Sequence, residues 1–328
     1  MTTTTTAAPA PADLHAPGMT RSAVLPRAFD SLTVDPRKRD LYRLDPYARE
    51  GLDLFSSPSE RAWLHANTFV VLKPDALAGR RGPRVLEILE EEGWKPVAAR
   101  PFHFDPVLTR EIWRYQFNAA SRQRIAVVDH LLGSGPSALV LLRDTRRAGS
   151  GLPASVRLTA AKGAADPASA HGRDLRTRFG RVNGLFNFVH TPDEPADLVR
   201  ELRLLTYRTG TAWLRTALTQ SPPAEGQPCP ARSLVAELEQ DVPLHDLAAE
   251  PSLGRLAGRT DRWGALAREH RTRDAVQHWL TALSDSELPP GTARWDVLSV
   301  LTGRIDCNEP GVAPLLATVA AADWRNEE

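Results

Sequence analysis

The chain has 328 residues, 42% of them hydrophobic and 25% charged, which is ordinary for a folded globular protein of about two domains. Two cysteines, Cys229 and Cys307, are too few for a disulfide framework or a cysteine-based zinc site, and they fit a reducing compartment. The amino terminus lacks the cationic start and apolar stretch of a signal peptide, and no run approaches the ~18 apolar residues of a membrane span. The composition therefore predicts a cytoplasmic protein that does not enter the membrane.

The formal net charge of +1 hides an uneven distribution. Residues 68–208 carry 22 Lys and Arg against 15 Asp and Glu, whereas residues 221–328 carry 10 against 17. The basic half can meet an anionic ligand, or it can attract the acidic half, and the two interpretations are compatible. Binding to nucleic acid is not favoured, because the arginines form no aromatic-interleaved stripe and no known motif.

The first elements in chain order are irregular. Residues 1–24 are rich in Thr, Ala and Pro and are predicted to be a disordered tail. Residues 25–66 contain four prolines and short apolar clusters, which indicate an extended N-terminal arm with one helix at residues 59–67.

A denser pattern begins at residue 68 and defines a domain over residues 67–218. β-Branched or continuous apolar runs predict strands at residues 68–73, 95–104, 136–143 and 185–190. Apolar residues at helical spacing, together with capping signals, predict helices at residues 83–94, 105–117, 122–135, 152–163 and 194–208. The order β-α-β-α-α-β-α-β-α favours a ferredoxin-like α/β sandwich.

The remainder of the chain is predicted to be helical. Residues 219–233 are rich in Pro and polar residues and indicate a linker, and residues 234–328 form either a small all-α domain or a helical cap on the first domain. Helices are predicted at residues 261–284, 293–304 and 313–324, with their Trp and Leu side chains in the core. This half has no recognisable motif, and its histidines lack metal-ligand spacing.

Residues capable of chemistry lie at three points of the α/β domain. The first strand ends in Lys73-Pro74-Asp75-Ala76, the third strand is preceded by Ser134-Gly135-Pro136, and the last strand carries Asn187-x-x-His190-x-x-Asp193. A strand end followed by a turn exposes an imidazole, and a carboxylate on the next helix, Glu201, can fix its tautomer. In this order and spacing the three elements resemble the nucleoside diphosphate kinase family over residues 68–208.

The resemblance implies a nucleoside diphosphate kinase-like fold and a phosphotransferase with a ping-pong mechanism. The γ-phosphoryl group of a nucleoside triphosphate would pass through a phosphohistidine at His190 to a nucleoside diphosphate or a related phosphorylated small molecule. Mg²⁺ would accompany the nucleotide, and no protein metal ligand is assigned. Family members commonly assemble into homo-oligomers, although the long arms at both ends of this chain could block or replace those contacts.

The resemblance also assigns roles to particular residues. The catalytic positions are His190, Glu201, Lys73 and Asn187. The nucleotide-binding positions are Lys73, Tyr115, Arg124, Arg157, Arg176 and Asn187. Arg157 lies about two positions away from the family pattern, so Arg178 or a neighbour is an alternative.

Several positions depart from the family pattern. After the histidine the family has Gly-Ser-Asp, whereas this chain has Thr191-Pro192-Asp193, and Thr191 could supply the missing hydroxyl from one position away. Further departures are Phe186 for an arginine, Ala165 for a threonine that contacts phosphate, and Arg124 for the aromatic residue that stacks on the base. A planar guanidinium can also stack, so the predicted role of Arg124 is a base contact.

Two functions of different classes follow. The retained residues Lys73, His190 and Glu201 favour a divergent phosphotransferase. The altered residues Arg124, Ala165 and Pro192 favour a catalytically impaired module that binds nucleotide or serves as a scaffold.

Overall fold

The computed structural model describes residues 27–224, 226–269 and 275–325. The tail predicted over residues 1–24 lies outside the described residues. A four-stranded antiparallel sheet contains β1 (Asn67–Leu72), β2 (Trp94–Phe102), β3 (Ser137–Asp144) and β4 (Val189–His190). The strand order β2-β3-β1-β4 confirms the predicted ferredoxin-like α/β sandwich. β1 is buried along its whole length, because β3 and β4 flank it and helices cover the sheet.

Two sets of helices accompany the sheet. Three precede it: α1 (Pro36–Leu44), α2 (Pro46–Leu52) and α3 (Pro58–Ala66). Eight alternate with the strands: α4 (Pro74–Ala78), α5 (Gly82–Glu91), α6 (Pro106–Ile112), α7 (Arg122–Leu132), α8 (Arg147–Ser150), α9 (Ala154–Lys162), α10 (Leu175–Phe179) and α11 (Pro195–Thr206). Short 3₁₀ turns lie at Arg27–Ser31, Asp53–Phe55, Phe117–Ala119 and Pro167–Ser169.

The N-terminal segment contains more helix than the extended arm with one helix that its prolines indicated. Pro36, Pro46 and Pro58 each open a helix at its first position, where the missing N–H costs nothing, so these prolines start helices instead of preventing them. The segment is fixed to α11 through buried charges. Lys38 Nζ lies 2.6 Å from Glu194 Oε2 and 2.7 Å from Asp197 Oδ2.

The last strand is shorter than the predicted run of residues 185–190. Phe188 has a φ of +71°, a left-handed conformation that is uncommon for an aromatic residue, and it breaks the extended backbone. Only Val189 and His190 then pair with β1, opposite Leu72 and Val71. The kink therefore limits the strand and sets the position of His190 at its end.

The C-terminal part is helical, as predicted. It contains α12 (Ala212–Leu218), α13 (Pro230–Asp241), α14 (Ala249–Ala257), α15 (Arg262–Arg268), α16 (Ala275–Asp285), α17 (Thr292–Thr302) and α18 (Ala321–Arg325). The helix predicted over residues 261–284 is divided into α15 and α16, with residues 270–274 outside the described part. Most of the helix predicted over residues 313–324 is irregular chain, and only its end lies in α18.

The two halves share one hydrophobic core instead of forming separate cores. A single cluster of buried side chains extends from Phe29 through the sheet to Leu316. α13 packs closely on α5, since a Cβ added at Gly82 would lie 2.3 Å from Val235 Cγ1. Within the described ranges, none of the helices combines the length and apolar character needed to cross a membrane.

Candidate active site

His190 is oriented by one carboxylate. Its Nε2 lies 2.7 Å from Glu201 Oε2, and both side chains are largely buried. Burial raises the pKa of Glu201, and the neighbouring His190 opposes that rise. A carboxylate at Nε2 favours the tautomer that carries the proton there, which leaves the lone pair on Nδ1. The structure records no partner for Nδ1 among the described residues.

The Lys73-Pro74-Asp75 motif holds the kink that precedes His190. Asp75 is fully buried, and its Oδ2 accepts a hydrogen bond of 3.0 Å from the backbone N–H of Phe188. Lys73 Nζ donates to the carbonyl of Leu185 at 2.9 Å and lies 3.6 Å from Asp75 Oδ2. The backbone N–H of Lys73 also donates to the Phe188 carbonyl. These bonds compensate the strained backbone of Phe188 and fix the strand that presents the histidine.

Two further predicted residues stand beside His190. Asn187 donates from its amide to the Gly184 carbonyl at 2.7 Å, which orders the turn before the kink. Arg176 donates to the carbonyls of Gly163 and Val189, and its Nε is buried without a protein partner in the described part of the chain. Burial lowers the pKa of Arg176 to about 10. A buried guanidinium bonded to carbonyls gains an opposite charge when an anion enters.

These side chains open on one cleft of about 110 Å³. Its lining comprises Lys73, Trp113, Phe117, Arg124, Val128, Leu131, Leu132, Ala165, Arg176, Gly184, Leu185, Asn187, Val189 and His190. The lining combines three cations and a histidine with an apolar wall. Pockets that enclose a drug-sized ligand measure roughly 300–1,000 Å³, so the enclosed volume suits part of a nucleotide and not all of it.

The structure does not bring two of the predicted nucleotide-binding residues to this cleft. Arg157 forms a two-pronged pair with Asp144 at the far end of β3 and stacks 3.6 Å from the centre of the Trp94 ring. Tyr115 donates its hydroxyl to Asp45 Oδ2 at 3.0 Å. Both side chains already have partners, which direct them away from His190. The alternative Arg178 is likewise paired, with Glu91 and Glu92.

Two aromatic residues of the cleft were not predicted from the sequence. The Trp113 ring lies 5.0 Å from the His190 ring in an edge-on arrangement, and Phe117 stacks on Trp113 at 6.0 Å. Trp113 and Phe117 follow α6 and are four residues apart, a spacing that predicted only a helix. The available signal was the family tyrosine, which was placed at Tyr115, two residues away from the ring that contacts the histidine.

Thr191 and Asp193, which follow His190, form a network with Lys162 behind the cleft. Thr191 is buried and accepts a 2.7 Å hydrogen bond from Lys162 Nζ, so its hydroxyl is held there and does not line the cleft. Lys162 also lies 3.4 Å from Asp193 Oδ1. Although burial alone would raise the pKa of Asp193, the ammonium groups of Lys162 and Lys38 hold it at about 2. Pro192 has no hydroxyl, so the serine function of the family has no direct substitute here.

The irregular chain between α17 and α18, residues 303–320, forms a C-terminal segment that contacts the cleft and the network behind it. At the cleft, Asn308 Oδ1 accepts a 3.0 Å hydrogen bond from Arg124 Nη1, and Glu309 N–H donates to the Ala119 carbonyl. Behind the cleft, Thr318 Oγ1 donates to Asp193 Oδ2 at 2.8 Å. Sequence patterns of helix and loop could not indicate these long-range contacts.

Part of this chain is similar to known proteins. The family model for nucleoside diphosphate kinase matches residues 66–208. A nucleoside diphosphate kinase from Desulfovibrio desulfuricans is 32% identical over 130 residues, which cover 39% of this chain and 84% of the relative. Two of the solved structures that are similar to this chain illustrate the extent of the likeness. Nucleoside diphosphate kinase from Aquifex aeolicus has a TM-score of 0.34 at 20% identity and covers 42% of this chain and 93% of its own. A nucleoside diphosphate kinase family protein from Babesia bovis has a TM-score of 0.36 at 18% identity and covers 49% and 95%.

The fold and site define an α/β sandwich with a carboxylate-oriented histidine beside a basic cleft. The family match and the identity to the Desulfovibrio relative make the assignment specific. The chain belongs to the nucleoside diphosphate kinase family, which confirms the resemblance seen in the sequence.

Proposed function

We propose that the protein transfers the γ-phosphoryl group of a nucleoside triphosphate to a diphosphate acceptor through a phosphohistidine at His190. The observation that carries the proposal is the 2.7 Å contact between Nε2 of His190 and Glu201 in a histidine that lines the cleft. The carboxylate keeps the proton on Nε2, so the nucleophile is Nδ1.

In the first half-reaction, the lone pair of Nδ1 attacks the γ-phosphorus and the bond to the bridging oxygen breaks. The nucleoside diphosphate leaves with that electron pair, and the phosphoryl group remains on nitrogen. In the second half-reaction, a terminal oxygen of the acceptor diphosphate attacks phosphorus, the P–N bond breaks, and the imidazole is regenerated. The Nε2 proton stays between His190 and Glu201 throughout, and Glu201 stabilises the positive charge that the ring gains.

Lys73 and Arg176 would neutralise the transferring group, with Asn187 beside them. Both cations are buried, and burial lowers the pKa of each. Lys73 already has Asp75 as a neighbour, and a phosphate in the cleft would bring further negative charge to both cations, which favours binding of an anion there. In-line positioning and charge neutralisation supply most of the catalysis in phosphoryl transfer.

Mg²⁺ would enter the site as part of the substrate, bound to the nucleotide phosphates. In the described residues, no group of three or more His, Cys, Asp and Glu side chains is arranged to hold a metal ion. The carboxylates nearest His190 are already engaged: Asp75 with Phe188 and Lys73, Glu201 with His190, and Asp193 with Lys162. Mg²⁺ commonly enters nucleotide sites with the phosphates as its main ligands.

The test is the transfer of label from γ-³²P-labelled ATP or GTP, with Mg²⁺, to the full-length protein and to His190→Ala. We expect an acid-labile, base-stable label on the wild type alone, and its loss when an unlabelled nucleoside diphosphate is added. His65→Ala is the matched control, because His65 is a half-buried histidine on α3 and does not line the cleft.

Absence of label from folded protein with either nucleotide would overturn the proposal. It would favour instead a nucleotide-binding or scaffold module, in agreement with the missing serine hydroxyl at Pro192 and the small enclosed volume of the cleft. Label on His190→Ala would place the chemistry on another residue.

A further inference from the structure

Arg124 carries an incompletely bonded guanidinium at the cleft. Its Nη1 donates to Asn308 Oδ1 at 3.0 Å, and its Cζ lies 6.0 Å from the centre of the Phe117 ring. Its Nε is shielded from solvent and has no acceptor among the described residues. An unpaired donor in that environment loses its hydration without replacement. Because Arg124 lines the cleft, a bound ligand is the natural source of an acceptor.

The edge of this guanidinium formed by Nε and Nη2 carries two parallel N–H donors. Such a fork pairs with two acceptors that lie side by side in one plane. Guanine offers this pair in O6 and N7, whereas adenine offers N7 beside the donor amino group at N6. With adenine, one arginine donor would face another donor.

The surroundings suit the plane of a base. Val128, Leu131 and Leu132 of α7 form the apolar wall, and the Phe117 ring lies beside the guanidinium. Asn308 comes from the C-terminal segment, outside the residues that match the family model. The side-chain oxygen Oδ1 of Asn308 fixes Nη1, and it thereby sets the direction of the edge formed by Nε and Nη2. The site is thus built partly by a segment that the matched domain does not contain.

We propose that Arg124, oriented by Asn308, reads the O6 and N7 edge of the base and makes this protein selective for guanine nucleotides. This inference rests on the proposed function and assigns its substrate class. It replaces the stacking role expected for Arg124 with hydrogen bonding in the plane of the base. Arg124 is then a specificity residue, and Asn308 is its positioning residue.

The experiment is calorimetric titration of the full-length protein with GDP, IDP and ADP in the presence of Mg²⁺. We expect GDP and IDP to bind equally and roughly 5- to 150-fold more tightly than ADP, the range that a bidentate base contact supplies. IDP is informative because it keeps O6 and N7 and lacks the 2-amino group of guanine. In Arg124→Leu, the affinities for GDP and IDP should fall to that for ADP, so the ratio of the GDP affinity to the ADP affinity should approach one.

Two variants separate geometry from charge. Arg124→Lys keeps the positive charge and loses the planar fork, so it should also lose the preference. Asn308→Ala frees Nη1 and should reduce the preference for GDP without changing the affinity for ADP. Thermal unfolding of each variant checks that the fold is intact.

Several outcomes would overturn the inference. Equal affinity of the wild type for GDP and ADP would do so, as would a preference that survives in Arg124→Leu. Equal weakening of all three ligands in Arg124→Leu would make Arg124 a phosphate ligand. Equal strengthening of all three in Asn308→Ala would make the C-terminal segment an obstruction.

Label transfer distinguishes this failure from failure of the proposed function. If ATP and GTP label His190 equally well, the phosphotransferase stands and the selectivity does not. If the protein neither binds a diphosphate nor accepts label, both proposals fail.

Discussion

At the scale of single residues, Glu201 controls which nitrogen of His190 is available. A buried carboxylate is costly unless it is paired, and its partner here is the imidazole at 2.7 Å. The pair therefore compensates the burial of Glu201 and leaves the lone pair of His190 on Nδ1, as the proposed phosphoryl transfer requires. The same two residues could be named from the sequence, because a histidine at a strand end and a glutamate eleven residues later lie within reach when the next helix packs back on the strand.

Replacing Glu201 with Gln tests this role. The amide can donate to Nε2 and favour the wrong tautomer, and it cannot stabilise a positive ring. We expect the rate of phosphoryl transfer to fall on the order of 10²-fold or more, as for other residues that orient a catalytic histidine. The measurement is the rate of phosphoenzyme formation in a rapid-quench experiment.

Glu239→Gln is the matched control. Glu239 is another buried glutamate, whose pKa burial also raises, but it accepts from the Gly82 N–H at 3.1 Å and does not line the cleft. Its replacement should leave the rate within about twofold. A Glu201→Gln enzyme as fast as the Glu239→Gln enzyme would mean that the carboxylate has only a structural role.

At the scale of elements, the N-terminal helices act as part of the active-site scaffold. Arg200 of α11 is buried, donates to Asp45 Oδ2 at 2.9 Å and donates to the Glu111 carbonyl. Lys38 of α1 lies between Glu194 and Asp197 at the start of the same helix. Both connections fix α11, which carries Glu201, so helices outside the matched residues help to position the carboxylate that contacts His190.

Lys38→Met should be strongly destabilising. It removes the ammonium and leaves two buried carboxylates without their counter-charge, which typically costs about 3–5 kcal/mol. Burial raises the pKa of Glu194. The loss should therefore shrink as the pH falls and the carboxylates of the variant take up protons. Urea unfolding at pH 7 and pH 5 measures both effects.

The control for this substitution is Lys95→Met, at an exposed position of β2. Surface charges contribute little, so its unfolding free energy should change by less than about 1 kcal/mol. A loss below 1 kcal/mol in Lys38→Met would contradict the view that the N-terminal helices depend on this cluster.

The sequence predicted the elements of the sheet better than the contacts between distant segments. Apolar runs located β1 and β3, because burial on both faces leaves that pattern. The other two strands were also located, although β2 has exposed and half-buried positions. The strand at residues 185–190 was predicted too long, since a left-handed Phe188 has no signature in residue type. Arg157 and Tyr115 were assigned to the site by the family resemblance, and residue type alone could not indicate that Arg157 pairs with Asp144 and Tyr115 with Asp45.

At the scale of the whole molecule, the C-terminal half and the α/β half are joined by one core. The buried cluster includes Trp94 of β2 and Trp295 of α17. The centres of the Trp295 and Phe186 rings lie 6.3 Å apart, and Phe186 belongs to the turn before His190. The turn that presents the catalytic histidine is therefore packed against the C-terminal helices. The sequence left open a small all-α domain or a helical cap on the first domain, and this contact is one that a helical cap would make.

One consequence is cooperative unfolding. Helical content followed by circular dichroism and the fluorescence of the tryptophans in both halves should change together, at one midpoint of temperature or urea concentration. Two separated transitions would show that the halves are independent, and would remove the basis for assigning Asn308 to the cleft.

The central claim, that His190 carries the phosphoryl group on Nδ1 because Glu201 holds Nε2, is tested most directly by ³¹P nuclear magnetic resonance of the phosphorylated protein. We expect one phosphohistidine signal with the chemical shift of the Nδ1 isomer. The signal should be absent from His190→Ala and should disappear when GDP is added. A signal of the Nε2 isomer would contradict the geometry of the pair. No phosphohistidine signal from folded protein incubated with MgATP or MgGTP would contradict the phosphotransferase itself.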